Sequence, residues 1–413
     1  MITKKKVSFF YKTKSVLLWT SCFNEPLATL YSWLPFIFRK DLGATPFQIM
    51  LLISIRPLIS LVSFYWSSNL STQKSKLRSN LVLSGLLSRI PFLCFFFLDN
   101  VWFLLLASAI HIFFSKGGIP AWMEILKLNL PRNPREKLFS FSAALGYLEG
   151  IFLAIAVGSL LDFHSQLWKY LFFFSALIGI LSVFLQSRLP IRNEDTFSAT
   201  PDSLPLMQKI IQPWKNSISL MRSRPDFAHF QWGFMFGGLG IMATAAALPL
   251  FFVDTLHLSH LTFTTSRSIC MGLGFILSSS LWAKALSRFP IASITGVICF
   301  GFGLFPLFLL LANLQLFWIY PAYILYGIAQ GGSHLIWHLS GPLFANEEDS
   351  SRYSGVNIVM VGLRGLIAPF LSNLICLFFG PLPVLFLGVI LCCSGGMYMF
   401  AKKSALREMK KAS

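Results

Sequence analysis

Charge is what this sequence has least of: only 12% of its 413 residues are Asp, Glu, Lys or Arg. An ordinary soluble domain is about a quarter charged, because charge keeps its surface wet. Here 55% of the residues are hydrophobic, 43 of them Phe, too many to hide in one water-surrounded core. A soluble globular protein is therefore excluded, and lipid is the expected solvent for most of the surface. Acids are scarcer still, 16 against 34 basic residues, giving a net charge of +18. An excess of that sign suits nucleic acid, but the Lys and Arg residues sit in short segments between apolar runs and form no contiguous basic face. A nucleic-acid partner is excluded on that distribution.

Other absences narrow the function. The seven cysteines (Cys22, Cys94, Cys270, Cys299, Cys376, Cys392, Cys393) all fall in apolar segments, with no spacing of a zinc set or a disulfide framework, and read as small core hydrophobes. There is no glycine-lysine phosphate loop, which excludes ATP as the direct energy source. No nucleophile with a base and no metal set stands out, so neither an enzyme nor a cofactor is expected. The first apolar run, residues 16–38, is too long for a signal peptide and lacks a clear cleavage site.

What is present is a recurrence of apolar stretches of about 20 residues, each long enough to cross a hydrocarbon core. Their centres lie near Leu27, Pro57, Ser88, Ile110, Glu149 and Leu177, then Gly240, Leu273, Gly301, Leu325, Ile367 and Leu391. The expectation is an all-α polytopic membrane protein of twelve transmembrane helices. Lys and Arg gather in alternate connecting segments: Lys4 to Lys14, Lys74 to Arg78, Lys127 to Lys137, Arg188 to Arg224, Lys284 and Arg288, Arg352, and Lys402 to Lys411. The opposite segments hold only Arg39, Lys40 and Lys169. Positive residues favour the cytoplasmic side, which predicts both termini in the cytoplasm and location in the cell inner membrane. Residues 346–349 (Asn-Glu-Glu-Asp) are acidic on an inner segment, where acids count little in this rule.

The halves repeat. Leu34, Pro35 and Phe38 are matched by Leu248, Pro249 and Phe252, Gly117-Gly118 by Gly331-Gly332, and Ser140 by Ser354, all at one common offset without gaps. Duplicated six-helix units are how many secondary transporters are built. The predicted organisation is an N-terminal six-helix bundle (1–187), a cytoplasmic central loop (188–225) and a C-terminal six-helix bundle (226–413). In the central loop Leu206, Met207, Ile210, Ile211, Trp214, Ile218 and Met221 recur at helical spacing among Lys209, Lys215 and Arg222. This fits a helix lying along the inner interface, kinked at Pro213; an ordinary linker is the alternative. The glycine run from Gly233 to Gly240 reads as close helix packing, with a flexible bend as the alternative.

Two six-helix halves, a basic central segment and inward termini resemble the major facilitator superfamily over the whole chain. That family's signature lies between helices two and three. Here the loop Trp66-Ser67-Ser68-Asn69-Leu70-Ser71-Thr72-Gln73-Lys74-Ser75-Lys76-Leu77-Arg78 keeps the basic part and lacks the signature glycine and acid. Its counterpart, Trp282 to Arg288, is equally reduced. The stretch Gly362 to Phe370 resembles helix eleven of uncharacterised members. The resemblance implies that helices one, four, seven and ten line a central cavity. Two, five, eight and eleven would flank it, with access alternating as the halves rock.

Charges in the middle of apolar segments carry the functional expectation, because such groups generally face a cavity or a partner. Glu25, beside Asn24, is the candidate proton-coupling group, and a salt bridge to Arg56 or Arg89 is the alternative. Arg56, Arg364 and Lys116 are candidate substrate ligands, together with His111, Tyr326, Gln330 and His334. Surplus positive charge points to a small organic anion, since Arg grips carboxylate or phosphate in bidentate fashion. Glu149 and Arg89 are candidates for a charge pair or gate, and Glu149 with Arg364 for a gate between the halves. His334 and His338 share a helical face, but without a third ligand they make no metal site. The leading expectation is a secondary, proton-coupled carrier of a small solute, working in the bilayer as a monomer. An exporter of amphipathic compounds is the rival, and a non-transporting sensor with a transporter fold is the alternative from another class.

Overall fold

A computed structural model describes residues 2–67, 77–98, 100–164, 166–190, 206–345 and 350–412, and every regular element among them is helical. The basic residues Lys74 and Lys76, Arg192 of the central stretch and the acidic run 346–349 lie outside the described residues. The chain divides into two compact units. The first comprises Met1–Ala44 and Leu58–Ser203, the second Thr45–Pro57 and Leu204–Ser413.

In the first unit α1 (Ile2–Lys40) packs on α6 (Arg132–Phe163) and α7 (Leu167–Ser187). Helix α3 (Leu77–Leu93) packs on α4 (Val101–Gly117), α5 (Ile119–Asn129) and α7. Asn100 starts α4 by accepting the Trp102 N–H through its side chain at 2.8 Å. The helix stops at Gly117 because Pro120 has no N–H to continue it, and the same proline suits the first turn of α5. Large rings fill the interior: Trp33, Phe92, Phe95, Trp168 and Phe172 are fully buried, with Phe92 stacked on Phe172 at 5.5 Å.

In the second unit α9 (Pro225–Leu250) is the hub, touching α8 (Leu206–Ser223), α12 (Ile291–Ala312), α14 (Ser350–Phe379) and α15 (Leu382–Ala412). Helix α11 (Met271–Arg288) packs on α13 (Ile319–Ala345), and α12 packs on both α13 and α15. The expected central-loop helix is present as α8, with Ser217 and Leu220 buried while Trp214 and Ile218 stay exposed. Helix α9 runs unbroken through its glycines, which favours packing over a bend. A Cβ on Gly240 would lie 2.8 Å from the Gly388 carbonyl of α15.

A buried polar chain ties three of these helices. Gln231 of α9 donates to the Asn357 amide oxygen of α14, and Asn357 donates to Ser340 of α13 at 2.8 Å. With no water to replace a lost partner, Asn357→Ala should destabilise the fold by about 1–3 kcal/mol. The check is the thermal unfolding midpoint in detergent; an unchanged midpoint would remove this chain from the account.

Nine helices among the described residues are long and apolar enough to cross a membrane, so this is an integral membrane protein. They contain nine of the twelve expected centres. The other three centres, Leu27, Pro57 and Leu325, fall in α1, α2 (Pro46–Ser67) and α13. Of those helices, α1 carries Asn24 and Glu25 and α13 carries Gln330 with His334, polar groups that lower mean hydropathy, whereas the stretch Pro46–Ile59 of α2 is itself apolar.

Candidate functional site: two charged hollows

The first unit contains a hollow of about 430 Å³ whose lining includes Asn24, Glu25, Ser84, Ser88, Arg89 and His111. Asn24 is its organising residue. The Asn24 amide oxygen accepts from Arg89 Nη2 at 2.6 Å and from the Ser182 hydroxyl at 2.8 Å, joining α1, α3 and α7. Arg89 also donates to the Gly85 carbonyl and, at 3.1 Å, to Ser88. Its Nε is buried without a partner. His111 Nδ1 lies 2.8 Å from the Ser88 carbonyl oxygen, with its ring 5.0 Å from that of Tyr31.

Glu25 accepts from the Thr29 hydroxyl at 3.3 Å. Glu149 lies across the α1–α6 seam, near Cys22 and Glu25. One Glu149 carboxylate oxygen, Oε2, is buried without a partner. Neither carboxylate forms an ion pair among the described residues; Arg89, expected to pair with Glu149, gives its hydrogen bonds to neutral groups instead. The physical reason is position: Asn24, next to Glu25 in sequence, already occupies the Arg89 fork.

The second unit contains a hollow of about 510 Å³, and here five expected residues meet: Arg56, Arg364, Tyr326, Gln330 and His334. Tyr326, Gln330, Ser333, His334 and Trp337 follow one another at helical spacing, so α13 presents them on one face. Arg364 of α14 is only 7% exposed. Its Nη1 donates to the Phe234 carbonyl at 2.9 Å, its guanidinium lies 5.0 Å from the Phe234 ring, and its Nε has no partner. No Asp or Glu is among the described lining residues.

Arg364 reaches this position because Gly238 faces it: a Cβ there would fall within the arginine side chain. Gly238→Ala should therefore displace Arg364 and cost about 1–3 kcal/mol of stability through overpacking. Thermal unfolding in detergent checks this, and a variant as stable as the parent would contradict the close fit.

Two expected residues lie elsewhere. His111 lines the first hollow, and Lys116, in the last turn of α4, lines neither. Phe234, Ser333 and Trp337 were not singled out from sequence. The helical spacing from Tyr326 pointed to the last two, whereas nothing local marked Phe234. Among the described residues no group of three or more His, Cys, Asp or Glu side chains could hold a metal ion.

A helical membrane protein with charged hollows has the form of a solute transporter, and the sequence comparison agrees with that class. Residues 26–369 match the Major Facilitator Superfamily. The chain belongs to that superfamily and is a membrane transporter, not an enzyme. Similar solved folds include a POT family transporter in complex with a thioalcohol-conjugated peptide, with a TM-score of 0.74 and 14% identity over 95% of this chain and 96% of that one. The nucleoside transporter NupG gives 0.67 and 11% over 96% and 98%, and a D-xylose-proton symporter 0.62 and 14% over 96% and 97%. Identities this low speak for the fold alone. No curated protein matches the sequence.

Proposed function

We propose that the protein is a proton-coupled secondary carrier of a small organic anion, working by alternating access. The observation that carries this is the second hollow, where Arg364 is buried with an unpartnered Nε and no carboxylate is among the described lining residues. A charged group held out of water is costly unless it is paired, and a bound anion is the partner such a hollow accommodates. Guanidinium is suited to it, because its fork matches carboxylate and phosphate oxygens. Coupling is assigned to Glu25, which lines the polar hollow of the first unit. The proton-driven character of one similar fold, a D-xylose-proton symporter, is consistent with that assignment.

The architecture belongs to the same proposal: twelve spanning helices in two repeated six-helix bundles, in the inner membrane with both termini cytoplasmic. Helices α1, α2 and α13 complete the twelve, each having at least 22 residues. The packing of α1 on α6 and α7, and of α3 on α7, is matched by α9 on α14 and α15, and α12 on α15. That correspondence supports duplication. Export of amphipathic compounds is the second reading, favoured by the rings of Phe234, Phe302, Tyr326 and Trp337 in the hollow.

Reconstituted vesicles separate the two. Uptake of an anion should fail when Arg56 and Arg364 are both replaced by Gln, whereas export of a neutral or cationic amphipath should persist. Anion uptake undiminished in the double variant would refute the proposal.

A further inference from the structure

The second hollow has a chemistry more specific than positive charge. Arg364 is set into a ladder of rings. The Phe230 and Phe234 rings are stacked at 5.7 Å, Phe234 is stacked on Trp337 at 6.5 Å, and the Arg364 guanidinium lies 5.0 Å from the Phe234 centroid. Farther along the same face of α13, Tyr326 is stacked on Phe305 at 4.5 Å, with Phe302 5.8 Å away. Phe234, Phe302, Tyr326 and Trp337 all line the hollow. A ring ligand can stack on them or meet their edges, which a saturated ligand of the same size cannot do.

The polar part of the hollow is small. Arg364 Nε is buried with no acceptor, and Gln330, Ser333 and His334 supply hydrogen-bonding groups along one face of α13. One compact anionic group satisfies the orphaned N–H, and apart from Arg56, which is exposed, the remaining lining is apolar or aromatic. The volume of about 510 Å³ falls within the range of pockets that enclose drug-sized ligands, larger than a two- to four-carbon acid requires.

We propose that the substrate is an aromatic monocarboxylate or a similar ring-bearing monoanion, with its carboxylate at Arg364 and its ring against Trp337. This rests on the anion reading above and specifies its class. It requires no group of this chain beyond those already placed in the hollow.

Competition binding to the full chain in lipid nanodiscs tests the idea, using radiolabelled naphthoate as the probe. Unlabelled benzoate should compete about tenfold better than cyclohexanecarboxylate, which has the same carboxylate on a saturated ring. It should also outcompete succinate and the neutral naphthalenemethanol. In Trp337→Leu the advantage of benzoate over cyclohexanecarboxylate should shrink to about twofold, reflecting one lost ring contact. The competition series on the unaltered chain stands without the variant, should that fail to fold.

Equal competition by benzoate and cyclohexanecarboxylate, or better competition by succinate, would overturn the aromatic assignment while leaving an anion carrier intact. Naphthalenemethanol competing as well as benzoate would overturn the anion reading itself. Failure of naphthoate to bind would overturn the aromatic assignment, and a separate transport signal from another anion would keep the broader reading.

Discussion

Arg364→Gln should weaken the transported anion's binding by about 100-fold, and Arg364→Lys should recover only part of that loss. Removing one member of a desolvated, hydrogen-bonded charge pair costs about 2–5 kcal/mol, and 2.7 kcal/mol corresponds to about 100-fold. Arg364 qualifies because it is 7% exposed, lines the hollow and keeps an unpartnered Nε. Glutamine keeps much of the length and the hydrogen-bonding head but carries no charge. Lysine restores the charge without the planar fork that lies against Phe234. Counterflow in vesicles gives the apparent affinity, and a retained unfolding midpoint shows that the loss is not one of folding. An Arg364→Gln carrier with unaltered affinity would dissociate the hollow from the substrate.

Glu25→Gln should abolish accumulation driven by a proton gradient while sparing exchange of substrate for substrate. The amide resembles the neutral acid in shape but has no proton to release, so the empty carrier loses the step in which the proton leaves. Exchange needs no net proton movement and continues. The proposal assigns Glu25 this role because it lines a polar hollow, accepts a hydrogen bond from Thr29 at 3.3 Å, and has no ion-pair partner among the described residues. Glu149→Gln should have the milder effect, since Glu149 is absent from the lining. Accumulation that survives Glu25→Gln would remove Glu25 from the coupling mechanism.

The helices were legible because apolar runs of spanning length are a bulk signal that needs no knowledge of packing. The same signal is weakest in α1 and α13, the helices that carry Glu25 and His334 to the hollows. A dip in hydropathy within a long helix thus coincides with a helix that lines a hollow in this chain. The helix break at Gly118 was also written locally, in Pro120; the matching Gly331-Gly332 lies inside α13, where His334 stands at the position corresponding to Pro120.

Partnerships were not legible. Asn24 and Arg89 lie 2.6 Å apart on helices separated by a large stretch of chain, and either arginine or carboxylate neighbours satisfied the sequence equally. The apposition of Gly238 and Arg364, and the placing of Phe234 beneath the guanidinium, arise only when α9 and α14 pack. Type and depth of a buried charge could be read along the chain, whereas its neighbour depends on helix rotation.

Flux into vesicles holding this protein alone, under an imposed pH gradient, tests the central claim most directly. Across a panel of aromatic and aliphatic carboxylates and phosphorylated metabolites, at least one anion should accumulate above its equilibrium level and leak back when a protonophore is added. If no anion in the panel crosses faster than in protein-free vesicles, the arginine-lined hollow does not belong to a carrier, and the account of a proton-driven anion transporter fails.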